Sequence, residues 1–365
     1  MHKILHIAPM NYAGVPYSFY DMHRKCGDYS RIITFHKNER DFPEDICLQW
    51  PLPRFKAASF WRKKKVSFRE KVSSLESAPG NSTPPEFKPR NKPEAWYFSI
   101  SDFLRKNAVE RLIEEYNLND FEIIHYDAGL DFFRNSSQAL KWKKQGKKIV
   151  CCYYGSDLRT RGIIKELDRL SDLNITSEYD HLAMKKDLHY LFYPYDPTEL
   201  PEKSLVENDE VTVVHSPTNR KYKGTELIIS VIERIKRERK IRFILLENVP
   251  RKDVLRIKSQ SDICIDQVGG SMGGTGYGKA GIETIGIGIP TITNMTKDYE
   301  NWLPENPFVV ANNAGELYNR LNELIESKDL REAIGRKGME WLKKYHGYES
   351  VNKRLYELYK ENNIV

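Results

Sequence analysis

The sequence predicts an α/β protein made of two doubly wound parallel-sheet domains that face a central cleft. Three observations carry that prediction. Strand and helix patterns alternate along most of the chain, a proline-rich acidic stretch interrupts them near the middle, and a glycine-dense segment follows an apolar strand in the second half. At 365 residues the chain exceeds what one hydrophobic core usually organises. Its 40% apolar and 12% aromatic content is that of a globular protein.

In the first half, "KILHIAP" reads as a strand, "MNYAGVPYSFYDMHRK" as a glycine-containing loop leading into a helix, and "YSRIITFHK" as a second strand. Residues 51–95 then lose periodicity and collect Pro, Ser, Lys and Arg, which marks a long, partly disordered insertion. "SISDFLRKNAVERLIEEYN" resumes as an amphipathic helix, with Phe103, Leu104, Val109, Leu112 and Ile113 expected toward the core. "FEIIHYDA", "KKIVCCYYGSD" and "LNITS" follow as buried strands. "YPYDPTELPEKSLVENDE" has little apolar periodicity and is the expected linker. After it, "VTVVHSP", "IRFILLEN" and "DICIDQV" read as strands separated by the helices "KGTELIISVIERIKRE" and "RKDVLRIKSQS". The expected domains are therefore 1–195, 196–345, and a closing helix 346–365 able to cross back to the first domain.

Five cysteines, an odd number with no CxxC pair, point to a reduced chain without a cysteine zinc site. No segment approaches the roughly 18 apolar residues of a membrane span, and the first apolar run is short for a signal peptide. A cytoplasmic protein is expected. Between Pro51 and Ala95 stand eleven Lys or Arg against four Glu, which accounts for the whole net charge of +7. Interleaved with Phe55, Phe60, Trp61 and Phe68, this basic segment is either a solvated insertion or a peripheral contact for anionic lipid. It contains no recognised DNA or RNA module, so nucleic acid is not an expected partner.

The segment Ser261 to Asn294, "SDICIDQVGGSMGGTGYGKAGIETIGIGIPTITN", places six glycines between a strand and a helix. That order directs backbone N–H groups and a helix N-terminus at one space, a ready site for phosphate. Its spacing is neither a dinucleotide fingerprint nor a Walker loop.

With those residues in view, "TGYGKAGIETIGIGIPTI" resembles the glycine, Glu, Gly-x-Pro segment of retaining GT-B glycosyltransferases of the large family 4 type, built from two Rossmann-like domains. "HSPTNRKYKGTELIISVIERI" resembles the start of that family's nucleotide-binding domain, and "YYGSDLRTR" its first-domain Gly-Ser-Asp-x-Arg segment. The resemblance implies a nucleotide-diphosphate sugar as donor, a hydroxyl acceptor on a glycan, a lipid-linked molecule or a small molecule, and no metal or other cofactor. It assigns donor contacts to Gly274, Thr275, Gly276, Tyr277, Gly278 and Lys279, and ribose hydroxyls to Glu283. Arg220 and Lys223 would neutralise the departing diphosphate. Gly14 would let backbone approach that diphosphate, although an ordinary strand-to-helix turn explains it too. Asp157 and Arg159 open from a strand end toward the cleft, where Asp157 could equally cap a helix. His125 and Asp127 end another strand and are secondary candidates for acceptor contact or a general base. Thr275, Pro217 and Tyr154 depart from the family's Glu, Arg and His. Those departures keep a second reading open, a non-catalytic nucleotide-sugar or glycan-binding protein of the same fold.

Overall fold

A computed structural model describes residues 1–38, 42–50, 85–89, 91–155, 157–204, 210–269 and 276–365. Most of the basic insertion lies outside the described residues. The chain divides into two compact units, the first holding the described residues up to Pro194 together with Tyr348–Val365, the second holding Tyr195–Gly347.

Unit 1 is built on strands β1 (Lys3–Ala8), β2 (Tyr29–Thr34), β3 (Ile46–Cys47), β4 (Ile123–Asp127), β5 (Lys148–Tyr153), β6 (Leu173–Thr176) and β7 (Leu188–Tyr190), in the order β3-β2-β1-β4-β5-β6-β7. All neighbours are parallel. The strands read as continuous apolar runs because helices cover both faces of such a sheet. Helices α1 (Val15–Lys25), α2 (Lys92–Glu115), α3 (Ser137–Lys144), α4 (Lys165–Leu170) and α5 (His181–Met184) connect them. β3 and β7, two and three residues long, gave no sequence signal.

Two expectations fail on the same element. Helix α2 begins at Lys92, inside the span read as insertion, because Asn91 accepts a hydrogen bond from Glu94 N and Pro93 sits in the first turn. Just before it, Glu86 bridges to Ile163. In addition, Phe103 and Leu104 face solvent at 76% and 72% exposure, whereas Val109, Leu112 and Ile113 are buried. At 100° per residue, positions 103 and 104 lie well round the helix from Val109, so one face cannot bury all five.

Unit 2 repeats the plan with β8 (Val211–His215), α6 (Arg220–Lys223), α7 (Thr225–Glu238), β9 (Ile241–Leu245), α8 (Arg251–Ser259), β10 (Ile263–Gln267), α9 (Lys279–Ile287), β11 (Thr291–Thr293), α10 (Lys297–Trp302), β12 (Val309–Val310), α11 (Ala314–Glu326) and α12 (Lys328–His346). Its parallel strand order is β12-β11-β10-β8-β9. Ile228, Val231, Ile232 and Ile235 of α7 pack with Ile263, Ile265 and Leu317 in its core. Tyr195, read as linker, is 3% exposed and belongs to this unit.

The last helix, α13 (Tyr348–Glu361), buries Val351, Leu355, Leu358 and Tyr359 against Ile4, Phe19 and Val150 of unit 1. Where it lands, three imidazoles meet. The ring centroids of His6, His23 and His125 lie 4.5 to 5.8 Å apart, all 0% exposed. Cys152 Sγ lies 3.4 Å from His125 Nδ1, and His125 Nε2 meets the Tyr359 hydroxyl. His6 Nδ1 lies 3.1 Å from Asp127 Oδ2. His125 is thus one of a buried trio rather than a lone strand-end residue.

Burial first, and then the neighbouring His6, hold His23 and His125 well below the usual imidazole range. A folded-state pKa below the unfolded value means that this stability is complete above about pH 6.5 and is lost as pH falls. Among the described residues neither ring nitrogen of His23 has a hydrogen-bond partner, and Asp28 Oδ2 is 3.8 Å away. His23→Leu is therefore expected to change the urea midpoint little at pH 8 and to raise stability at pH 5 by about 1–2 kcal/mol relative to the parent; equal effects at both pH values would contradict the assignment.

Candidate functional site

In a doubly wound sheet, ligands bind beyond the carboxyl ends of the strands where the strand order reverses. In unit 2 that point lies between β8 and β10, which pair directly, with Ile265 opposite His215. His215 ties three elements together, its ring nitrogens reaching Ile265 O at 2.8 Å and Thr225 Oγ1 at 2.9 Å. Burial lowers its pKa to about 4, so it stays neutral.

The loops leaving these two strands carry the donor-side candidates. Asn219 caps the short helix α6 by accepting from Tyr222 N, which fixes Arg220 and Lys223 one turn apart. Lys223 Nζ donates to Asp266 Oδ1 at 2.8 Å and to Gln267 Oε1 at 2.9 Å, and Gln267 Nε2 donates to Gly276 O at 2.9 Å. One chain of polar contacts therefore joins the Lys-Gly turn to the end of the glycine segment. The Lys223 side chain is 13% exposed and Asp266 3%, so this ion pair is poorly screened. Among the described residues Asp266 Oδ2 has no hydrogen-bond partner. Arg220 is more open and pairs with Glu226 and Glu247, each at 2.7 Å.

Gly274 and Thr275 lie outside the described residues. Gly276 lies flat against Tyr299, whose ring would stand 2.4 Å from a Cβ at this position. Tyr277 stacks on Phe308 at 4.7 Å and packs edge-on against Trp341, with its hydroxyl 3.2 Å from His346 Nε2. Its ring is thus held among aromatic side chains of unit 2. Gly278 begins α9 in extended backbone, and a Cβ there would meet nothing within 4 Å.

Glu283, one turn into α9, is 7% exposed. Its Oε1 accepts from Arg251 Nε at 2.8 Å, and Arg251 donates onward to the Tyr195 hydroxyl at 3.2 Å. The Lys279 ammonium lies 5.8 Å over the Tyr195 ring, and burial lowers its pKa while Glu283 opposes that shift. The structure brings Lys223, Gly276, Tyr277, Gly278, Lys279 and Glu283 together at one edge of the sheet. It adds Asp266, Gln267, Arg251 and Tyr195, which sequence reasoning did not single out. Asp266 and Gln267 had a visible signal, polar residues closing the strand "DICIDQV".

Gly14, Asp157, Arg159, His125 and Asp127 belong to unit 1. Gly14 has φ of 77° and precedes α1, a left-handed position that favours glycine. Asp157 starts a single wide turn, Asp157–Arg161, after β5. Its Oδ2 accepts from Tyr154 N at 2.9 Å, so the carboxylate ties its own loop instead of capping a following α-helix. Burial raises its pKa to about 6, with Arg161 opposing. Arg159 is held by Glu178 and Asp180. Asp127 accepts from the Tyr154 hydroxyl through Oδ1 and faces His6 through Oδ2. Among the described residues no group of three or more His, Cys, Asp or Glu is arranged to hold a metal ion, and no helix is long and apolar enough to cross a membrane.

Residues 230–357 match the model of a family described as glycosyl transferase-like. No curated protein matches the chain in sequence. Among solved structures it is similar to Anabaena HepE in complex with UDP-glucose, at 12% identity over 99% of this chain and 100% of that one, TM-score 0.58. It is similar to the catalytic domain of starch synthase IV from Arabidopsis thaliana bound to ADP and acarbose, at 12% identity over 99% of both chains, TM-score 0.58. An alpha-glucosyltransferase in complex with UDP and a 13-mer DNA containing an HMU base matches at 11% identity over 98% of both chains, TM-score 0.57. The chain has the GT-B fold of these glycosyltransferases.

Removing the cation from Lys223 leaves Asp266 buried and unpaired. Lys223→Met is expected to cost about 3–5 kcal/mol in urea denaturation. Lys223→Met combined with Asp266→Leu should recover most of that loss, and additive losses would show that the two groups do not act as a pair.

Proposed function

We propose that the protein is a glycosyltransferase that moves a sugar from a nucleotide-diphosphate sugar to a hydroxyl acceptor, with retention of anomeric configuration and without a metal ion. The observation that carries this reading is the link from Lys223 through Gln267 to Gly276, beside the strand-order reversal of unit 2, with the buried carboxylate of Glu283 on the helix that follows. Glu283 and the glycine segment fall inside the span that matches the glycosyl transferase-like family.

In this reading the bond between the sugar's anomeric carbon and the diphosphate oxygen breaks as negative charge gathers on the leaving group. Lys223 and the N–H groups near Gly278 stabilise that charge, with Arg220 as a second cation at the rim. Glu283 accepts hydrogen bonds from the ribose hydroxyls, and Arg251 fixes the carboxylate that does so. Tyr277, Lys279, Gly274 and Thr275 contribute to the donor side. Gly14 and Asp157, on unit 1, enter this reading only through the resemblance. Retention rests on the resemblance to family 4 alone. A lipid-linked acceptor suits the basic segment 51–95, and retention of the protein on anionic but not neutral liposomes at low salt would support it.

A second reading, a non-catalytic nucleotide-sugar or glycan-binding protein, is favoured by one feature. Lys223, Arg220 and Glu283 are each already paired with protein groups. Turnover separates the two readings.

Thermal unfolding should be followed with UDP-, ADP-, GDP-, CMP- and dTDP-sugars. Binding at a hundredfold excess over Kd adds about 2.7 kcal/mol to the folded state. A rise with one nucleotide, lost in Glu283→Ala, is the expected result, followed by donor turnover with that sugar. No rise with any of them in folded protein would overturn the donor site, and a rise without turnover or donor hydrolysis would favour the binding reading.

A further inference from the structure

Helix α2 has two apolar faces, and only one of them meets the core. Among the described residues thirteen large apolar side chains are exposed, and five of these, Trp96, Tyr97, Ile100, Phe103 and Leu104, stand within nine residues of its first half. The other eight are scattered singly along the chain. At about 100° per residue, the five fall within an arc of about 120°. Trp96, at 71%, is as open as Phe103 and Leu104. The opposite side of the same turns is held by unit 1. Asp102 accepts from Arg134 N at 2.9 Å, the Arg134 guanidinium lies 4.1 Å from the Phe98 ring centre, and the Arg105 guanidinium lies 4.5 Å over Trp50. The stripe therefore points away from the core. Single exposed apolar residues are ordinary on a folded surface, whereas a contiguous stripe marks a contact.

Charge and size decide what that contact is. Between Pro93 and Asn107 no charged residue falls within the arc, and Lys92 and Lys106 lie along one border. Past Asn107 the same arc carries Arg111, Glu114 and Glu115, which confines the stripe to the first half of the helix. A stable protein interface takes roughly twenty to thirty residues from each side. Five side chains on about 12 Å of helix are too few for a second copy of the chain. The sequence leading into α2 is also strongly basic, with eleven Lys or Arg against four Glu between Pro51 and Ala95. Two copies would bring those charges together, while an anionic bilayer attracts them. Helices that lie in the plane of a membrane surface place Trp, Phe and Leu at the acyl boundary and keep cations beside the headgroups. The stripe on α2 has that composition.

We propose that the first half of α2 lies against the surface of an anionic membrane, with Trp96, Phe103 and Leu104 entering the acyl boundary. The contact is independent of the donor reading. Only its use, to bring a lipid-linked acceptor within reach, rests on the proposed glycosyl transfer.

The test is cosedimentation of the full chain, without donor, with vesicles of phosphatidylcholine alone and of phosphatidylcholine mixed with phosphatidylglycerol, at low and at high salt. The parent should bind the mixed vesicles at low salt and keep part of that binding at high salt, because salt screens charges and not apolar insertion. Trp96→Ser combined with Phe103→Ser and Leu104→Ser should weaken binding about tenfold or more at low salt and abolish it at high salt. Its unfolding midpoint should stay near that of the parent, since all three side chains are exposed. Brominated acyl chains should quench the tryptophan fluorescence of the parent more than that of Trp96→Phe. Unchanged vesicle binding in the triple variant would assign the binding to charge alone and overturn the stripe, and equal quenching of parent and Trp96→Phe would do the same. No binding of the parent to either vesicle would also overturn it. A lower unfolding midpoint in the triple variant would then identify the chain's own residues as the cover, and a parent dimer lost in that variant would identify a second copy. Because no nucleotide enters these measurements, their failure leaves the donor reading standing, and failure of the donor panel leaves the membrane contact standing.

Discussion

Both sheets are wholly parallel, and that constraint governs where chemistry can occur. A parallel strand returns only through a crossover, so helices blanket both faces of each sheet and leave the strand ends as the only places where loops gather. In unit 2 the reversal of strand order parts the crossovers on either side of β8 and β10. Lys223 and the glycine segment leave those two strands, and the contacts through Gln267 lock their loops together. Without the parallel topology the same residues would have no shared edge to occupy.

The polar groups at that edge are arranged as interlocking pairs. Lys223 with Asp266, and Arg251 with Glu283, each set a buried carboxylate against a cation. Such pairs add little net stability, since desolvation offsets much of their attraction, but they fix orientation. Asp266 Oδ2 has no partner among the described residues. A ligand entering there meets groups whose positions are already set, which is how preorganised sites limit the cost of reorganisation.

Much of the architecture was legible in the sequence, because buried parallel strands are nearly continuous apolar runs and the helices between them keep a 3.6-residue period. The Lys-Gly turn and the Glu283 helix were legible through the order of short motifs. Other features were hidden for physical reasons. Phe103 and Leu104 satisfy the same apolar pattern as Val109, and a pattern does not say which stripe meets the core. Arg251 and Glu283 are 32 positions apart, and His6, His23 and His125 come from three separate elements, so only the folded chain brings them together. Tyr195 sat in a stretch without periodicity, where nothing marked one aromatic ring as buried.

The return of α13 to unit 1 gives this chain a particular order of biogenesis. Among the described residues unit 2 is one continuous stretch, Tyr195–Gly347, and every strand in it precedes α13 along the chain. Unit 1 starts earlier along the chain but lacks Val351, Leu355, Leu358 and Tyr359 until α13 has been made. Its β1 and α1 surfaces, including Ile4 and Phe19, stay uncovered throughout elongation. The domain whose strands come first is therefore completed only after the second, and without α13 its core would lack the four side chains that pack against Ile4, Phe19 and Val150.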